Sequence, residues 1–372
     1  MKLEEIRRKI DKIDRELLVL LQERMGLALR SKKFKTTISD PKREADVLTR
    51  AERLNLDLVE SSFARQLLKT IIDESKRLQE EDRKLAAFQG EHGAYGEVAA
   101  RLLVPGAAFI PCLEFNDVFR GVEDGYLDFG VVPVENSLEG AVTQVNDLLT
   151  TTNLKVIGEA KIIVKHCLLA TEATDYRQIR IVYSHPQALA QCRNFLTDNK
   201  LEARPFYDTA GAAKMLAREN PRAAAAIASA LCAELYDLEI VDEGIEDGPS
   251  NTTRFLLMSR EPYEQGGDKT SIIFATPHEA GRLYAVLRLF AESQINLTRI
   301  ASMPLRSDPS NYCFFLDFIG SGKDEKVLEV LRQMEALTIS MKVLGSYPAV
   351  TNVSRSLTNP PPLSDRILPG SA

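Results

Sequence analysis

The residues from 248 to 255 place two hydroxyl groups and a guanidinium side by side where a loop gives way to a strand. Residues 248–251 are turn formers and an apolar run begins at Phe255, which predicts a loop leading into a strand. The strand would fix the direction of Thr253 and Arg254, a hydroxyl that can donate a proton and a cation that can bind a carboxylate. Taken alone, such a stretch is most often a plain surface turn, so its meaning depends on the rest of the chain.

A second set of polar residues interrupts the apolar seam of a long helix predicted over residues 3–34. Apolar side chains recur there in alternating steps of three and four, as in an amphipathic helix, but Arg24 and Ser31 occupy later seam positions. A buried arginine needs a partner that offsets its lost hydration, which is either a structural ion pair or an anionic ligand. Lys35 lies about three helical turns beyond Arg24 and on nearly the same face. Two cations could therefore close over an anion.

Two more amphipathic helices are predicted, over residues 40–54 and 62–83. Asp40 followed by proline gives the first of them an N-cap and a favourable first position. Polar side chains again occupy a first turn or a seam, at Arg43, Glu44, Ser75 and Gln79. Packing alone would favour apolar residues at the last two of these positions.

Residues 1–83 resemble the all-helical chorismate mutase domain. The residues that match this family's active-site pattern are Arg7, Arg24, Lys35, Asp40, Arg43, Glu44, Ser75 and Gln79. The resemblance implies that Arg7 and Arg24 hold the carboxylates of chorismate. It also implies that Lys35 and Gln79 hydrogen-bond the ether oxygen of the breaking bond, while the other members fix the remaining polar groups. The rearrangement of chorismate to prephenate is unimolecular, so positioning and charge stabilisation suffice.

The spacing of the two arginines bears on assembly. Arg7 and Arg24 are 17 residues apart in the sequence, which is roughly 25 Å along a helix, so they cannot meet on one small dicarboxylate. Either the two residues are unrelated or the pocket is built across a dimer. A helix roughly 48 Å long in so small a domain also needs a partner to cover its seam. We therefore expect the intertwined homodimer that the family implies, or a dimer of dimers.

From about residue 84 the pattern changes to alternating strands and helices. Strands are predicted at residues 85–88, 129–132, 155–169, 179–183, 223–228, 238–241 and 253–258, with helices near 97–103, 114–123, 141–150, 186–197, 209–219 and 229–236. This alternation favours largely parallel sheets covered by helices, with function at the ends of strands. Three polar motifs lie there, in residues 90–96, 132–137 and 183–187. The first lacks the spacing of a phosphate loop or a dinucleotide fingerprint, which argues against nucleotide binding.

Together with Thr253-Arg254-Phe255, these three motifs in this order are similar to prephenate dehydratase, over residues 84–260. The resemblance implies an α/β fold of two lobes of the periplasmic-binding-protein type, with the active site in the cleft between them. It also implies loss of water and carbon dioxide from prephenate to give phenylpyruvate, driven by aromatisation of the ring. No carboxylic acid stands out in the motifs, so the Thr253 hydroxyl is the candidate proton donor.

Further residues of these motifs are predicted to orient the substrate: Asn136, Ser137, Ser184, His185 and Gln191. The substrate carboxylates are expected to bind either Arg254 or helix N-termini near residues 141 and 186. By itself, Ser184-His185-Pro186 would also suit a helix start. We interpret Cys192 and His166 as structural.

After a linker over residues 259–268, residues 269–350 show the order β-α-β-β-α-β. This pattern resembles the ACT domain, an α+β ferredoxin-like module that senses amino acids and whose sheets usually pair between subunits. The resemblance implies an effector site that includes Gly281, Leu283, Asn296 and Ser302. Where the family carries a Glu and an Arg for phenylalanine binding, this chain has Ala301 and Met303. We therefore expect weak phenylalanine binding or another effector.

Composition narrows the possible partners. The 372 residues, 44% hydrophobic and 27% charged, suit a globular protein of two or three domains, and a net charge of -6 argues against nucleic acid as a partner. The five cysteines are odd in number and nowhere form C-x-x-C, so neither disulfides nor a zinc site is expected. No metal, cofactor or membrane partner is expected, and the cytoplasm is the expected location. Residues 351–372, rich in proline and serine, are expected to be a mobile tail.

These observations predict a bifunctional chorismate mutase/prephenate dehydratase of phenylalanine biosynthesis. Two alternatives stay open. The dehydratase could act on arogenate, because the two substrates differ only in a keto or amino group on the side chain. The chain could also be a non-catalytic metabolite sensor, although a sensor has no need for polar residues on the helical seams.

Overall fold

The computed structural model describes residues 3–54, 57–172, 174–248, 251–305 and 308–349. The segment predicted to be a mobile tail, residues 351–372, lies outside these ranges, and so do Pro249 and Ser250 of the loop before Thr253.

Three helices form the N-terminal segment: α1 (Leu3–Lys32), α2 (Pro41–Arg53) and α3 (Ser61–Glu80). Their bounds agree closely with the sequence prediction. Asp40 is the N-cap of α2, because its carboxylate accepts a hydrogen bond from the backbone N–H of Arg43 at 3.0 Å. Helix α3 packs against both α1 and α2.

The next part of the chain forms a first α/β lobe. Its sheet has the order β2-β1-β3-β11-β5, with β1 (Leu85–Gln89), β2 (Ala108–Cys112), β3 (Phe129–Asn136), β5 (Lys155–Ile163) and β11 (Thr252–Ser259). A short strand, β4 (Gly140–Ala141), pairs with β3, and the covering helices are α4 (Tyr95–Leu103), α5 (Phe115–Glu123) and α6 (Thr143–Thr151). Strand β11 runs antiparallel to both of its neighbours, so the prediction of largely parallel strands is only partly right.

A second lobe has the sheet order β10-β6-β9-β7-β8. Its strands are β6 (Cys167–Ala170), β7 (Ile181–Ser184), β8 (Glu202–Pro205), β9 (Ala224–Ala228) and β10 (Glu239–Glu243), and its helices are α7 (Pro186–Gln191), α8 (Arg193–Asp198), α9 (Thr209–Glu219) and α10 (Ala230–Tyr236). The prediction of one strand over 155–169 is wrong, because the chain leaves the first lobe after β5 and enters the second at β6. It returns before β11, so two crossing segments join the lobes.

Glycine allows a close approach between the lobes at one point. Gly93, in the loop after β1, has φ +94°, and a Cβ there would lie 2.5 Å from the sulfur of Cys232 on α10. A larger residue would therefore be strained and would push the lobes apart.

The C-terminal part is an antiparallel sheet of order β13-β14-β12-β15 with two helices on one face. Its elements are β12 (Lys269–Thr276), α11 (Arg282–Glu292), β13 (Leu297–Leu305), β14 (Asp308–Ile319), α12 (Glu325–Glu335) and β15 (Ser340–Tyr347). The predicted order β-α-β-β-α-β is confirmed. The other face of this sheet packs against the first lobe, since Phe315 and Tyr347 share an apolar cluster with Val156 of β5.

Helix α1 contacts both lobes. Near its C-terminal end, Leu29 is buried in the apolar cluster of the first lobe beside Ile110, and the Lys33 ammonium lies 2.9 Å from the Asp128 carboxylate. Nearer its N-terminus, the Lys12 ammonium donates to the backbone carbonyl of Arg218 in the second lobe at 2.6 Å. The helix therefore lies along the two lobes rather than standing apart from them.

Two candidate active sites

The helical segment encloses a cavity of about 190 Å³ between α1, α2 and α3. Most of the residues predicted for a mutase site line it, namely Arg24, Lys35, Asp40, Arg43, Glu44, Ser75 and Gln79. Arg7 does not line this cavity and is exposed near the start of α1. A single chain thus brings together the whole predicted set except Arg7.

Arg24 is half-buried without an acidic partner in the described chain. Its Nη1 donates to the Ser75 hydroxyl at 2.6 Å and lies 3.5 Å from the carbonyl of Ile71, and both groups are neutral. Burial lowers the pKa of Arg24 because the charged form loses hydration. An anionic ligand in the cavity would offset that loss.

The other charges of the cavity leave an excess of cations. The Glu44 carboxylate accepts from the Lys76 ammonium at 2.9 Å, and this hydrogen bond lowers the pKa of Glu44. Asp40 is occupied in capping α2. Among the described residues, no carboxylate lies within ion-pair distance of Lys35 or Arg43. The arrangement suits a ligand with two negative charges.

Much of the apolar seam of α1 is open to solvent. Ile10, Ile13 and Leu17 are between 50% and 56% exposed, although they continue the apolar pattern that packs elsewhere in the helix. A row of exposed apolar side chains on one helix face marks an interaction surface.

A larger cavity of about 450 Å³ lies between the two α/β lobes. Thr253 and Asn136 line it from the first lobe, directly opposite each other on β11 and β3. The Asn136 side-chain amide donates to the Thr253 hydroxyl oxygen at 2.9 Å and to the side-chain Oδ1 of Asn251 at 2.7 Å. Because Thr253 accepts this hydrogen bond, its own proton is free to point toward a ligand.

Gln191 and His185 line the cavity from the second lobe. Gln191 Oε1 accepts from the Asn251 amide at 3.0 Å and lies 2.9 Å from His166 Nε2. A polar network therefore runs across the cleft from Thr253 to His166. His185 caps α7, since its Nδ1 accepts from the backbone N–H of Gln187 at 3.3 Å.

Three residues of this network were not predicted as site residues. Asn251 stands two residues before Thr253, in the same stretch, so its position was a usable signal. Tyr95 belongs to the predicted motif of residues 90–96, which was a second signal. His166, interpreted from the sequence as structural, is buried and lines the cavity, with Nδ1 3.3 Å from the Tyr95 hydroxyl, and burial lowers its pKa. No local pattern in the sequence marks His166 as a neighbour of the motif residues. Cys192 is fully buried, does not line the cavity, and has its pKa raised to about 12 by burial.

The structure contradicts the prediction that Arg254 binds substrate. Successive side chains of a strand point to opposite faces, so Thr253 faces the cleft while Arg254 faces the C-terminal sheet. Its guanidinium pairs with Glu159 at 2.7 Å and with Asp317, and donates to the Tyr347 hydroxyl at 3.0 Å.

Two predicted serines also lie outside the cavity lining. Ser184 is fully buried and its hydroxyl donates to the backbone carbonyl of Ile227 on β9 at 2.6 Å. Ser137 accepts from the backbone N–H of Thr252 at 2.9 Å and so ties the end of β3 to β11. Both predictions of direct substrate contact are corrected, because these hydroxyls bond the backbone of neighbouring strands.

Helix N-termini direct positive electrostatic potential into the cleft. The residues that precede α4, α6, α7 and α9 all line the cavity, namely Ala94, Val142, His185 and Asp208. Helices α4 and α6 have no side-chain cap, so their first N–H groups can bind an anion. Within the described lining there is no lysine or arginine. Of the two predicted modes of carboxylate binding, the geometry favours the helix N-termini.

The cavity also carries two acidic side chains, Glu139 and Asp208. Asp208 accepts from the backbone N–H of Gly211 at 2.8 Å, and burial raises its pKa.

The predicted effector residues do not form one cluster within a chain. Gly281 is the N-cap of α11, with φ 85°, and Leu283 follows in its first turn, whereas Asn296 lies beyond the other end of the helix. The length of α11 separates these groups by roughly 16 Å. Ser302 is exposed on β13.

Other site types find no support among the described residues. No group of three histidine, cysteine, aspartate or glutamate side chains in these ranges could hold a metal ion. Nor does any described helix combine the length and apolar character that crossing a membrane requires.

Comparison with known proteins gives two adjoining family matches. Residues 6–80 match chorismate mutase type II, and residues 86–263 match prephenate dehydratase. The chain is 37% identical over 357 residues to the bifunctional chorismate mutase/prephenate dehydratase of Aquifex aeolicus (strain VF5), covering 93% of this chain and 98% of the relative. It is 44% identical over 283 residues to arogenate dehydratase/prephenate dehydratase 2, chloroplastic, of Arabidopsis thaliana, covering 73% of this chain and 74% of the relative.

Two solved structures are similar to the part after the helices. One is GqqA, described as a novel type of quorum quenching acylase, with a TM-score of 0.67, 34% identity, and coverage of 72% of this chain and 99% of GqqA. The other is the prephenate dehydratase of Arthrobacter aurescens in complex with L-Phe, with a TM-score of 0.65, 33% identity, and coverage of 71% of this chain and 90% of that chain.

Proposed function

We propose that the two cavities divide the work of this chain, which belongs to the family of bifunctional chorismate mutase/prephenate dehydratases. It rearranges chorismate to prephenate and converts prephenate to phenylpyruvate in phenylalanine biosynthesis. The helical part is the mutase, and the two-lobed part is a dehydratase of periplasmic-binding-protein-like fold. We assign the first reaction to the cavity between the helices and the second to the cleft between the lobes.

In the helical cavity, cations would hold the substrate while one bond breaks and another forms. Arg24 would bind one carboxylate, since the partners of its guanidinium among the described residues are neutral. Lys35 would donate a hydrogen bond to the ether oxygen, where negative charge develops. Gln79, whose Nε2 donates to the Ala28 carbonyl and the Ser31 hydroxyl, would add a second one by exchanging one of these acceptors for the ligand. Arg7 of the partner subunit would bind the second carboxylate, across a dimer formed on the exposed seam of α1. Domain limits of 1–83, 84–260 and 269–350 are part of this proposal.

In the cleft, the Thr253 hydroxyl would give its proton to the leaving hydroxyl of prephenate, which departs as water. The electron pair of the bond to the ring carboxylate moves into the ring as carbon dioxide leaves. The Asn136 amide, 2.9 Å from the Thr253 oxygen, would stabilise the charge that develops there until solvent returns the proton. The N-termini of α4 and α6 would bind the carboxylates. The observation that supports this assignment best is the Thr253–Asn136 pair at the wall of the cavity.

We further propose that the C-terminal sheet is an ACT domain whose effector binds between two chains. The separation of Gly281 from Asn296 along α11 supports a shared site, because only a second chain could bring such groups together. The Arthrobacter aurescens relative was solved with L-Phe, which supports an amino-acid effector.

Feeding the purified protein chorismate tests the assignment. We expect phenylpyruvate to accumulate, and a parallel assay with prephenate to give the same product. Absence of both prephenate and phenylpyruvate from the chorismate reaction would contradict the mutase assignment. Absence of product from prephenate would contradict the assignment of the cleft alone.

Arogenate is the second candidate substrate of the cleft. The Arabidopsis thaliana relative, named for both activities, is 44% identical to this chain. Glu139 and Asp208 line the cavity and could attract the ammonium group that distinguishes arogenate from prephenate. Comparing kcat/KM for the two substrates decides between them, and a Glu139→Gln variant should lower kcat/KM for arogenate selectively if arogenate is the substrate.

A further inference from the structure

Two ion pairs from the C-terminal sheet reach residues directly beside the proposed catalytic pair. Arg254, next to Thr253, pairs with Asp317 and donates to the Tyr347 hydroxyl at 3.0 Å. Glu135, next to Asn136, lies 2.8 Å from Arg299 Nε.

The strand registers place these charges in a crossed arrangement. Arg254 and Glu135 are opposite each other on β11 and β3, one step along from the Thr253–Asn136 pair. Arg299 and Asp317 are opposite each other on β13 and β14. Each sheet therefore presents one cation beside one anion, and each charge faces its opposite on the other sheet.

The pair around Arg254 is buried. Arg254 is 6% exposed and Asp317 3%, while Glu159 bridges Arg254 at 2.7 Å and Lys269 at 2.8 Å. Buried charges depend on their partners for both energy and geometry. In the Arg299–Glu135 pair only the carboxylate is near the surface, since the Arg299 side chain is 9% exposed and the Glu135 side chain 43%.

The strand that carries Thr253 is irregular at this point. The register between β11 and β3 shifts between Arg254 and Phe255. Such an irregularity interrupts the regular ladder and re-aims the side chains near it. The contacts that Arg254 makes with the C-terminal sheet therefore help to fix the position of Thr253, which faces the cleft.

We propose that Arg254, Glu135, Asp317 and Arg299 form a clamp through which the C-terminal domain positions Thr253 and Asn136 for the dehydratase reaction. These four are positioning residues, since none of them lines the cavity. The clamp rests on the proposed function of the cleft. It differs from a plain interdomain ion pair because its loss should change the rate of the chemical step more than substrate binding or folding.

The test uses the full-length chain with Arg299→Gln, which removes the cation whose partner Glu135 can still be hydrated, and Asp317→Asn, which removes a buried charge with little change in size. We expect kcat with prephenate to fall about tenfold because a small misplacement of reacting groups is costly, with KM altered less than about twofold. Mutase activity in the same samples should stay at the wild-type level. Glu329→Gln, which breaks the exposed Glu329–Arg332 pair of the same domain, is the matched control and should leave both activities unchanged.

The conservative variant Arg299→Lys provides the rescue. It keeps a cation facing Glu135 and beside Asp317, so it should retain much of the kcat that Arg299→Gln loses. If Asp317→Asn does not fold, as judged by loss of mutase activity and of circular dichroism, Arg299→Gln and Arg299→Lys still decide the question.

A Thr253→Ala variant separates the two proposals. Full dehydratase activity in Thr253→Ala would overturn the assignment of the cleft. An inactive Thr253→Ala beside an Arg299→Gln variant with wild-type kcat, or an Arg299→Lys variant as impaired as Arg299→Gln, would leave the cleft assignment intact and overturn the clamp.

Discussion

The two cavities of this chain are lined by different kinds of polar group. The helical cavity presents long cationic side chains such as Arg24 and Lys35, and it lacks Arg7 within one chain. The cleft presents short neutral groups, Thr253 and Asn136, at strand ends, together with uncapped helix N-termini.

The difference follows from the two reactions. A rearrangement without proton transfer needs charge around a dianion, and long cations can supply it from several helices. Dehydration needs a proton donor at a defined place, which a short side chain on a strand provides better than a flexible one. The helical cavity therefore depends on assembly, and the cleft depends on support from the sheet behind it.

Single substitutions in the two cavities should have the largest effects on activity. Arg24→Ala should lower mutase activity by about 100-fold or more and spare the dehydratase, and Thr253→Ala should do the reverse, because each removes an interaction made in only one transition state. Both steady-state rates are measured on one preparation. Thr253→Ser keeps the hydroxyl and should retain part of the dehydratase activity. If either alanine variant silenced both activities in a folded chain, the separation of the two sites would be wrong.

Mixing two inactive chains tests the dependence of the mutase on assembly. Arg7→Ala and Arg24→Ala chains should complement each other after subunit exchange, because one pocket of each mixed dimer receives both arginines. Random pairing would restore about a quarter of the wild-type mutase activity. The two labelled chains are first shown to exchange. No recovery after that exchange would mean that each pocket lies within one chain.

Phenylalanine titration of the dehydratase tests how the C-terminal domain acts on the cleft. Ala301 and Met303, which replace the charged residues of the family, pack against the apolar cluster shared with the first lobe. We expect half-inhibition only at millimolar phenylalanine, since coupling between sites is typically about 1–3 kcal/mol and a charged contact is missing. Mutase activity measured alongside should not respond. Full inhibition at micromolar concentrations would show that the two substitutions do not matter.

The smallest expected effect concerns the pH dependence of stability. Burial lowers the pKa of His166 below its ordinary value, so the unfolded chain takes up this proton first as pH falls. Stability is therefore lost as pH drops through the unfolded value of about 6.5. His166→Asn should reduce the difference in free energy of unfolding between pH 7.5 and pH 5.5 by about 1 kcal/mol. Urea unfolding followed by circular dichroism measures it. An unchanged difference in His166→Asn would contradict this role of His166.

Local patterns in the sequence predicted the elements well but not the paths between lobes. Helical spacing predicted the three N-terminal helices, and the alternation of strand and helix patterns predicted the order of elements along the C-terminal part. The division of residues 155–169 between two sheets was not predictable, because both halves are apolar and only the tertiary fold separates them. Strands β2, β4 and β8 were missed. Strand β2 contains Pro111, which argues against a strand, and β4 has only two residues. All residues of β8 are exposed and show no apolar alternation.

The candidate site shows a similar limit. Strand alternation implied that Thr253 and Arg254 face opposite ways, but which of them faces the cleft depends on the partner sheet. Ser184 and Ser137 lie in the predicted motifs, but their hydroxyls are hydrogen-bonded to backbone groups of neighbouring strands. His166 joins the cleft network through contacts between distant parts of the chain, which no local pattern records, whereas its neighbour Tyr95 lies in the predicted motif of residues 90–96.

The position of α1 along both lobes has a consequence for how such a fused gene can be divided. Cutting the chain after residue 83 would uncover Ile110 and the apolar cluster under Leu29, and would leave Asp128 without the Lys33 ammonium. A separate dehydratase that lacks the helical part would need polar residues at these positions, because the apolar surface would otherwise be exposed to water. The helical part and the lobes are thus packed together in the folded chain, although the sequence pattern changes abruptly between them.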